Sequence, residues 1–197
     1  MRVVLATQNA AKLEEVAAIV GAEAEVLGLD AFGVVELPPE DGATYEENAL
    51  AKGRAVARAL GLAALADDSG LEVAALGGAP GVRSSRYAGP ACDPQANNEK
   101  LLRELAAVRP EGRQARFVCV AALVTPEGGE WLARGEVAGR IAAAPRGDGG
   151  FGYDPVFVPA GYERTFAEMK AEDKNRLSHR GRAFSKIKKY LRKNNSP

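Results

Sequence analysis

The sequence contains little of what defines several common protein classes. Only two cysteines, Cys92 and Cys119, occur among 197 residues, so neither a disulfide framework nor a cysteine metal site is predicted. The longest apolar run without Gly or Pro, 117–124, is far too short to cross a bilayer. The apolar run 3–6 is too short for the core of a signal peptide. We therefore expect a reduced protein of the cytoplasm that does not enter a membrane.

Net charge is also lacking, because 26 Lys and Arg balance 26 Asp and Glu. The charges are unevenly placed: from Lys170 to the C-terminus ten basic and two acidic residues give +8, so residues 1–169 carry −8. Such a basic segment is compatible with nucleic acid, with a solvated helix or with a phosphorylated small molecule. The content of 46% apolar and 26% charged residues is ordinary for a globular protein, which argues against disorder.

Apolar periodicity alternates along the chain between strand-like and helix-like segments. Strands are predicted at 3–6, 25–29, 62–66, 114–125 and 130–141, and helices at 9–20, 44–60, 94–108 and 178–192. Two Thr/Glu pairs have the spacing of a helix capping box, namely Thr44 with Glu47 and Thr165 with Glu168. No internal repeat or clear linker is present. The pattern predicts one α/β domain, 1–197, with a mixed, twisted sheet flanked by helices.

The segment from Thr7 to Lys12 falls where a predicted strand gives way to a helix. Backbone N–H groups and the helix dipole favour an anion at such a place. Thr7 and Asn9 add side-chain donors, and Lys12 can bring a cation to the same point. The alternative is that Asn9 only caps the helix and that Lys12 is solvated. A phosphate-binding turn is the more specific of these two hypotheses.

Adjacent carboxylates, Asp67 and Asp68, follow a strand that is predicted to be buried and to end at residue 66. Ligands of open α/β sheets usually bind at the carboxyl ends of strands. Carboxylate oxygens suit Mg²⁺, which typically takes one or two of them together with substrate phosphates. Glu40, in the Pro-rich loop, is a possible second metal ligand. The alternative is an Asx-turn leading into Gly70.

Two later segments carry further candidates. Phe151 and Asp154 end the glycine-rich loop 146–152, where a ring could stack on a base and a carboxylate could accept ring N–H groups; core packing of the aromatic residues is the alternative. The only histidine, His179, stands beside Arg180 just after Ser178, the predicted cap of the last helix. Lys174 is a further cation for a phosphate or a keto oxygen.

Eight segments together resemble the inosine triphosphatase family, the pyrophosphatases of dITP, XTP and other non-canonical purine nucleotides. They occur in the family's order and extend over nearly the whole chain: Leu5–Lys12, Glu40–Ala49, Ala66–Leu71, Leu76–Gly81, Ser85–Tyr87, Gly150–Pro155, Glu172–Asn175 and Ser178–Gly181. Each is weak alone, but eight in register are highly specific. Gln8 departs from the glycine that bacterial members often have there.

The resemblance implies an elongated mixed α/β fold of two lobes with a nucleotide cleft between them, a homodimer, and no nucleic-acid partner. It also implies Mg²⁺-dependent hydrolysis of a nucleoside triphosphate to monophosphate and pyrophosphate. Carried over by position, Glu40 and Asp68 hold the metal, Asp68 accepts a proton, and Ser69 contacts substrate. The resemblance assigns binding of the phosphates to Thr7, Gln8, Asn9, Ala10, Ala11 and Lys12. It assigns binding of the nucleotide, chiefly its base, to Phe151, Gly152, Tyr153, Asp154, Lys174, His179 and Arg180.

Base selection has a physical logic. Inosine and xanthosine present a keto oxygen at position 6, where adenosine presents an amino donor. Donor side chains such as Lys174, His179 and Arg180 would pair with the keto group and be left unpaired by adenosine. Two rival hypotheses stay open: a nucleotide- or nucleic-acid-binding protein without catalysis, and a pyrophosphatase of modified pyrimidine nucleotides.

Overall fold

The computed structural model describes the backbone of residues 1–194 and the side chains of residues 1–192. Its described part contains six strands and five α-helices. The strands are β1 (Arg2–Leu5), β2 (Glu25–Leu27), β3 (Ala64–Val73), β4 (Gln114–Val124), β5 (Glu130–Ile141) and β6 (Phe157–Pro159). The helices are α1 (Ala10–Val20), α2 (Tyr45–Leu60), α3 (Pro94–Glu104), α4 (Ala171–Leu177) and α5 (His179–Asn194).

The strands form one mixed sheet in the order β2-β1-β3-β4-β5-β6. β1 pairs in parallel with β2 and with β3, and β5 pairs antiparallel with β6. The predicted α/β class with a mixed sheet is therefore confirmed. By its internal contacts the chain divides into two compact units, the first made of residues 1–68, 119–135 and those from His179 onward, the second of residues 69–118 and 136–178. The nucleotide cleft between two lobes stays a prediction.

Each unit has its own apolar core. In the first, side chains of α1 and α5 pack with the buried residues of β1 and β3, for example Val16, Leu5, Leu65 and Phe184. In the second, Phe117, Phe157 and Phe166 form an aromatic cluster with ring centroids 4.7–6.1 Å apart. Offset and tilted ring pairs of this kind add stability beyond the area that they bury.

The starts of the predicted helices follow the sequence signals closely, whereas some ends do not. The helix predicted over 94–108 ends at Glu104, and the strand predicted over 25–29 ends at Leu27. Thr44 and Glu47 form the predicted capping box at the start of α2, and Gly61 ends that helix in a left-handed conformation with φ 62°. The prediction that a strand ends at residue 66 is wrong, because β3 continues to Val73. Asp67 and Asp68 therefore lie inside β3, although β1 pairs with it only as far as Leu65. Helix α4 was not predicted.

Candidate active site

The turn from β1 into α1 combines a helix N-terminus with exposed polar groups. The side chain of Asn9 caps α1 by accepting from the backbone N–H of Lys12 at 3.1 Å, and its own N–H donates to Thr7 Oγ1 at 3.1 Å. The first turn of α1 contains no acidic residue, so nothing there offsets the helix dipole. Thr7, Gln8, Asn9 and Ala10 line one side of a cavity of about 540 Å³. Asn9 thus caps the helix, as the alternative hypothesis described, and binding of an anion at this turn stays a prediction.

Asp67 is the buried centre of a group of charged side chains in the first unit. It is 1% exposed, and its carboxylate lies 3.3 Å from Lys12 Nζ and 3.1 Å from Arg180 Nη2. The Cys119 thiol lies 4.0 Å from Asp67 Oδ2. A buried carboxylate is tolerated only when charges and hydrogen bonds surround it in this way. Lys12, predicted to serve the phosphate turn, is thus also a partner of the acidic pair.

Arg180 has a different environment from the one expected for a base-contacting donor. Its guanidinium is 2% exposed and bridges Asp67 and Glu15, with Nη1 2.7 Å from Glu15 Oε2. Burial alone would lower the pKa of Arg180, but Asp67 and Glu15 outweigh burial and raise it above its usual value. Arg180 therefore ties α5 to α1 and β3, and its contact with a base stays a prediction.

Asp68 has a partner of its own. Its Oδ2 accepts a hydrogen bond from Asn48 Nδ2 at 2.8 Å, and both residues are buried. Burial raises the pKa of the Asp68 carboxyl above its usual range, and Lys52, Asn48 and Lys12 only partly oppose that rise. A carboxylate with a raised pKa accepts a proton more readily than an exposed one, which suits a general base.

Lys52 and Glu40 complete the group. The Lys52 ammonium, which is 5% exposed, donates to Glu40 Oε1. Burial would lower the pKa of Lys52, yet Asp67, Glu40 and Asp68 outweigh it and raise that pKa. Burial would likewise raise the pKa of Glu40, but Lys52 outweighs it and lowers that pKa. The whole group therefore contains three cations, Lys12, Lys52 and Arg180, and four carboxylates, Glu15, Glu40, Asp67 and Asp68. The structure brings Lys12, Glu40 and Asp68 within electrostatic range of one another, and their roles toward a nucleotide stay a prediction.

The carboxylates of this group suit a magnesium ion that is held partly by its substrate. No cluster of three or more His, Cys, Asp or Glu side chains that could hold a metal occurs within the described residues. Mg²⁺ keeps several waters and needs only one or two carboxylates when phosphates supply the other ligands. Glu40 and Asp68 offer such hard oxygen donors, and they are close enough that the charge of Glu40 raises the pKa of Asp68. The donor set therefore fits the expected ion.

A second polar group lies in the other unit, around the end of the glycine-rich loop. Asp154 Oδ2 accepts from Lys174 Nζ at 2.5 Å and from the backbone N–H of Phe151 at 2.8 Å. The Lys174 ammonium also lies 4.8 Å from the centroid of the half-buried Phe151 ring, within cation–π range. Gly150 has φ +69°, and a Cβ there would meet Asp154 Oδ2 at 2.1 Å, so only glycine fits. The group presents an aromatic face beside a paired cation.

For the remaining predicted residues the structure gives a position but less support for contact with a nucleotide. The Tyr153 ring is buried in the core and its hydroxyl donates to Ser84 O at 2.9 Å, as the packing alternative described. Ser69 follows Asp68 within β3. His179 is 4% exposed at the first position of α5. The carbonyl of Gly152 accepts from Asn98. For these residues, and for Ala11 in α1, contact with a nucleotide stays a prediction.

Sequence reasoning missed four residues of these groups: Glu15, Asn48, Lys52 and Asn98. Asn48 and Lys52 are one helical turn apart and lie among the buried residues of α2, together with Ala49 and Val56. Polar side chains on the buried face of an amphipathic helix were therefore an available signal. Asn98 is buried in α3; its Nδ2 donates to Gly152 O at 2.9 Å, and its Oδ1 has no hydrogen-bond partner among the described residues.

Comparison with known proteins places this chain in one family. The family model described as "Ham1 family" matches residues 3–190. The chain therefore belongs to the Ham1 family. Among its relatives, the dITP/XTP pyrophosphatase of Elusimicrobium minutum is 49% identical over 98% of this chain and 100% of that protein. The dITP/XTP pyrophosphatase of Streptomyces coelicolor is 48% identical, with 93% of each chain covered.

Solved structures agree with this assignment. A HAM1 protein from Coxiella burnetii superposes with a TM-score of 0.87 at 41% identity, covering 98% of this chain and 99% of that one. The Ham1 protein of Staphylococcus aureus gives a TM-score of 0.85 at 37% identity, covering 99% and 100%. No helix in the described part of the chain is both long and apolar enough to span a membrane.

Proposed function

We propose that this chain is a nucleoside triphosphate pyrophosphohydrolase that acts on non-canonical purine nucleotides, namely dITP, ITP and XTP, and depends on Mg²⁺. The observation that carries this proposal is its identity of about half, over nearly its whole length, to proteins named dITP/XTP pyrophosphatase. The charged group around Asp67 and Asp68 supplies the chemistry. Such an enzyme removes deaminated purines from the nucleotide pool of the cytoplasm.

The reaction cleaves the bond between the α-phosphorus and the oxygen that leads to the β-phosphorus. A water molecule attacks the α-phosphorus, loses a proton, and pyrophosphate leaves with the bridging oxygen. Negative charge that develops on the phosphoryl oxygens has to be stabilised during this step. The N–H groups of Gln8, Ala10 and Ala11, together with the ammonium of Lys12, would do so, since those of Thr7 and Asn9 already donate to Leu5 O and Thr7 Oγ1.

Asp68 is the proposed proton acceptor, because its raised pKa and fixed hydrogen bond suit a general base. Glu40 and Asp68 would hold Mg²⁺, which supplies charge neutralisation when bound. In the free protein Lys52 pairs with Glu40. Lys52 therefore holds the Glu40 side chain near the acidic group before substrate binds.

We assign binding of the purine base to the side chains at the end of the glycine-rich loop. Phe151 offers the stacking face, and Lys174, held by Asp154, offers a donor for the 6-keto oxygen. Ser69, Gly152, Tyr153, His179 and Arg180 are proposed as further nucleotide contacts. Adenosine presents an amino group at position 6, which cannot accept a hydrogen bond from Lys174, so we expect adenosine nucleotides to react about 10²- to 10⁵-fold more slowly.

The test is pyrophosphate release from purified protein over a panel of dITP, ITP, XTP, dGTP, dATP, dCTP and dTTP, with Mg²⁺ and with a chelator. We expect turnover of the first three and little turnover of dATP, dCTP and dTTP. Comparable rates with dATP and dITP would contradict the proposed specificity. Release that is unchanged by the chelator would contradict the proposed metal.

One variant tests the role of Asp68, and one measurement tests the oligomeric state. Asp68→Asn should abolish turnover while nucleotide binding, measured by calorimetry, is largely kept; a fully active variant would remove Asp68 from its role. Light scattering coupled to gel filtration tests the proposed homodimer, since a monomer at the assay concentration would contradict it.

A further inference from the structure

The side chain of Asn48 connects two parts of the proposed active site. Its Oδ1 accepts from the backbone N–H of Gly42 at 2.8 Å, and its Nδ2 donates to Asp68 Oδ2 at 2.8 Å. The amide can adopt only one orientation here, since the N–H of Gly42 only donates and an ionised carboxylate only accepts. Asn48 is 2% exposed, so water does not compete for either bond.

Asparagine is energetically unfavourable at a buried helical position unless its amide makes specific hydrogen bonds. Asparagine has low helix propensity and loses hydration when it is buried. Its neighbours on the buried face of α2 include Ala49 and Val56, and an apolar residue would satisfy packing equally well. One turn further along, Lys52 holds Glu40. Two consecutive turns of α2 thus contact the 40–42 loop twice, through Asn48 with Gly42 and through Lys52 with Glu40. They contact Asp68 once, through Asn48.

We propose that Asn48 is a positioning residue that fixes the carboxylate of Asp68 and couples it to the loop that carries Glu40. This inference rests on the proposed function of Asp68. Asn48 is not expected to touch the substrate. Its effect is on the chemical step, because a base that is displaced by about 1 Å can lose about a hundredfold in rate.

Gly42 gives an independent way to disturb the same contact. A Cβ at residue 42 would lie 2.6 Å from Asn48 Oδ1 and 3.0 Å from Glu47 Cβ. The Asn48 amide would therefore have to move, and with it the group that holds Asp68. Gly42 is not in a left-handed conformation, so alanine adds no backbone strain of that kind there. Gly42→Ala should therefore reproduce the defect of an Asn48 variant.

The experiment compares wild type with Asn48→Leu, Asn48→Asp and Gly42→Ala. We expect kcat for dITP to fall about a hundredfold in both Asn48 variants, with KM changed by less than about threefold. Asn48→Asp keeps the acceptor for Gly42 and replaces the donor to Asp68 by a second carboxylate, so it combines loss of the second bond with like-charge repulsion at Asp68. Gly42→Ala should lower kcat in the same selective way.

The matched control is Asn97→Leu. Asn97 is also a buried helical asparagine with two amide hydrogen bonds, to Ala88 N at 2.6 Å and Ser85 O at 2.8 Å, and neither partner is acidic. A merely structural role predicts that Asn48→Leu and Asn97→Leu lower the melting temperature and kcat alike. Positioning predicts that only Asn48→Leu lowers kcat by more than about tenfold. Equal effects, or wild-type kcat in Asn48→Leu, would overturn the proposal.

A second readout does not depend on catalysis. Crystal structures of wild type and Asn48→Leu should show the Asp68 side chain in one rotamer in the first and in another, or in several, in the second. An unchanged Asp68 overturns the proposal whatever the kinetics are. If wild type releases no pyrophosphate from any nucleotide, the proposed function fails, and this structural comparison still decides whether Asn48 positions Asp68.

Discussion

The buried bridge made by Arg180 allows a quantitative prediction. Replacing Arg180 with Met keeps a long side chain that can fill the space but leaves two carboxylates without their shared cation. Removing one partner of a buried ion pair usually costs about 3–5 kcal/mol, since the charge that remains is uncompensated. The Arg180 and Asp67 side chains are 3% and 1% exposed, so solvent screens them little.

The lower end of that range is expected for this chain. Lys12 stays 3.3 Å from Asp67, and the Glu15 side chain is 13% exposed, so neither carboxylate is wholly isolated. We therefore expect Arg180→Met to lower the free energy of unfolding by about 3 kcal/mol. For a chain of this size each kcal/mol shifts the melting temperature by about 2–4 °C, which gives a decrease of about 6–12 °C.

The assay is thermal unfolding followed by circular dichroism at neutral pH, with Arg192→Met as the control. Arg192 lies on the same helix and pairs with Glu23, but its side chain is 65% exposed. Exposed pairs contribute about 0–1 kcal/mol, so the control should lose at most about 4 °C. Adding Asp67→Asn to Arg180→Met removes one uncompensated charge and should recover part of the loss. Equal melting temperatures for the two single variants would refute the argument.

Three further predictions concern single side chains. Burial raises the pKa of Asp68 above its unfolded value, so ionisation of Asp68 destabilises the fold as pH rises above about 4. Urea unfolding at pH 7 should therefore show Asp68→Asn to be more stable than wild type. The difference should vanish below about pH 4, where the carboxyl is protonated in both states. Lys12→Ala should raise KM for ITP by about 10- to 100-fold through loss of a charge-assisted phosphate contact, while Arg180 still pairs with Asp67; an unchanged KM would contradict the phosphate turn. Phe151→Leu should raise KM for ITP about 5- to 150-fold in steady-state kinetics through lost stacking, with little change in melting temperature; wild-type KM would show that the ring does not bind the base.

Local signals in the sequence were sufficient for the starts of α1, α2, α3 and α5 and for the hairpin, but not for α4, which has no side-chain cap. Asn9, Thr44 and Asp93 cap helices with their own side chains, and such caps involve only neighbouring residues. The turn between β4 and β5 is likewise closed by a local bond, from Thr125 N–H to Gly129 O at 2.9 Å. Local chemistry of this kind can be recognised without knowledge of the fold.

The course of β3 and the partners of the acidic residues could not be predicted in this way. Two aspartates and a serine are disfavoured within a strand, so the sequence alone favoured a turn at residues 67–70. Arg180 and Lys12 pair with the Asp67 carboxylate and Asn48 donates to that of Asp68, so both carboxylates are tolerated inside the buried strand. Arg180 lies 113 residues away from Asp67 along the chain, a separation at which no spacing rule applies.

The sequence by itself determined the α/β class, the family resemblance and which residue types are available for phosphate, metal and base. These follow from periodicity, caps and short segments, each of which depends on nearby residues. Only the tertiary structure decided that Arg180 is occupied by Glu15 and Asp67, that Asn48 holds Asp68, and that the Tyr153 ring is buried. The physical reason is that a charged side chain takes whichever partner the packing of distant elements brings near, and burial then makes that pairing obligatory.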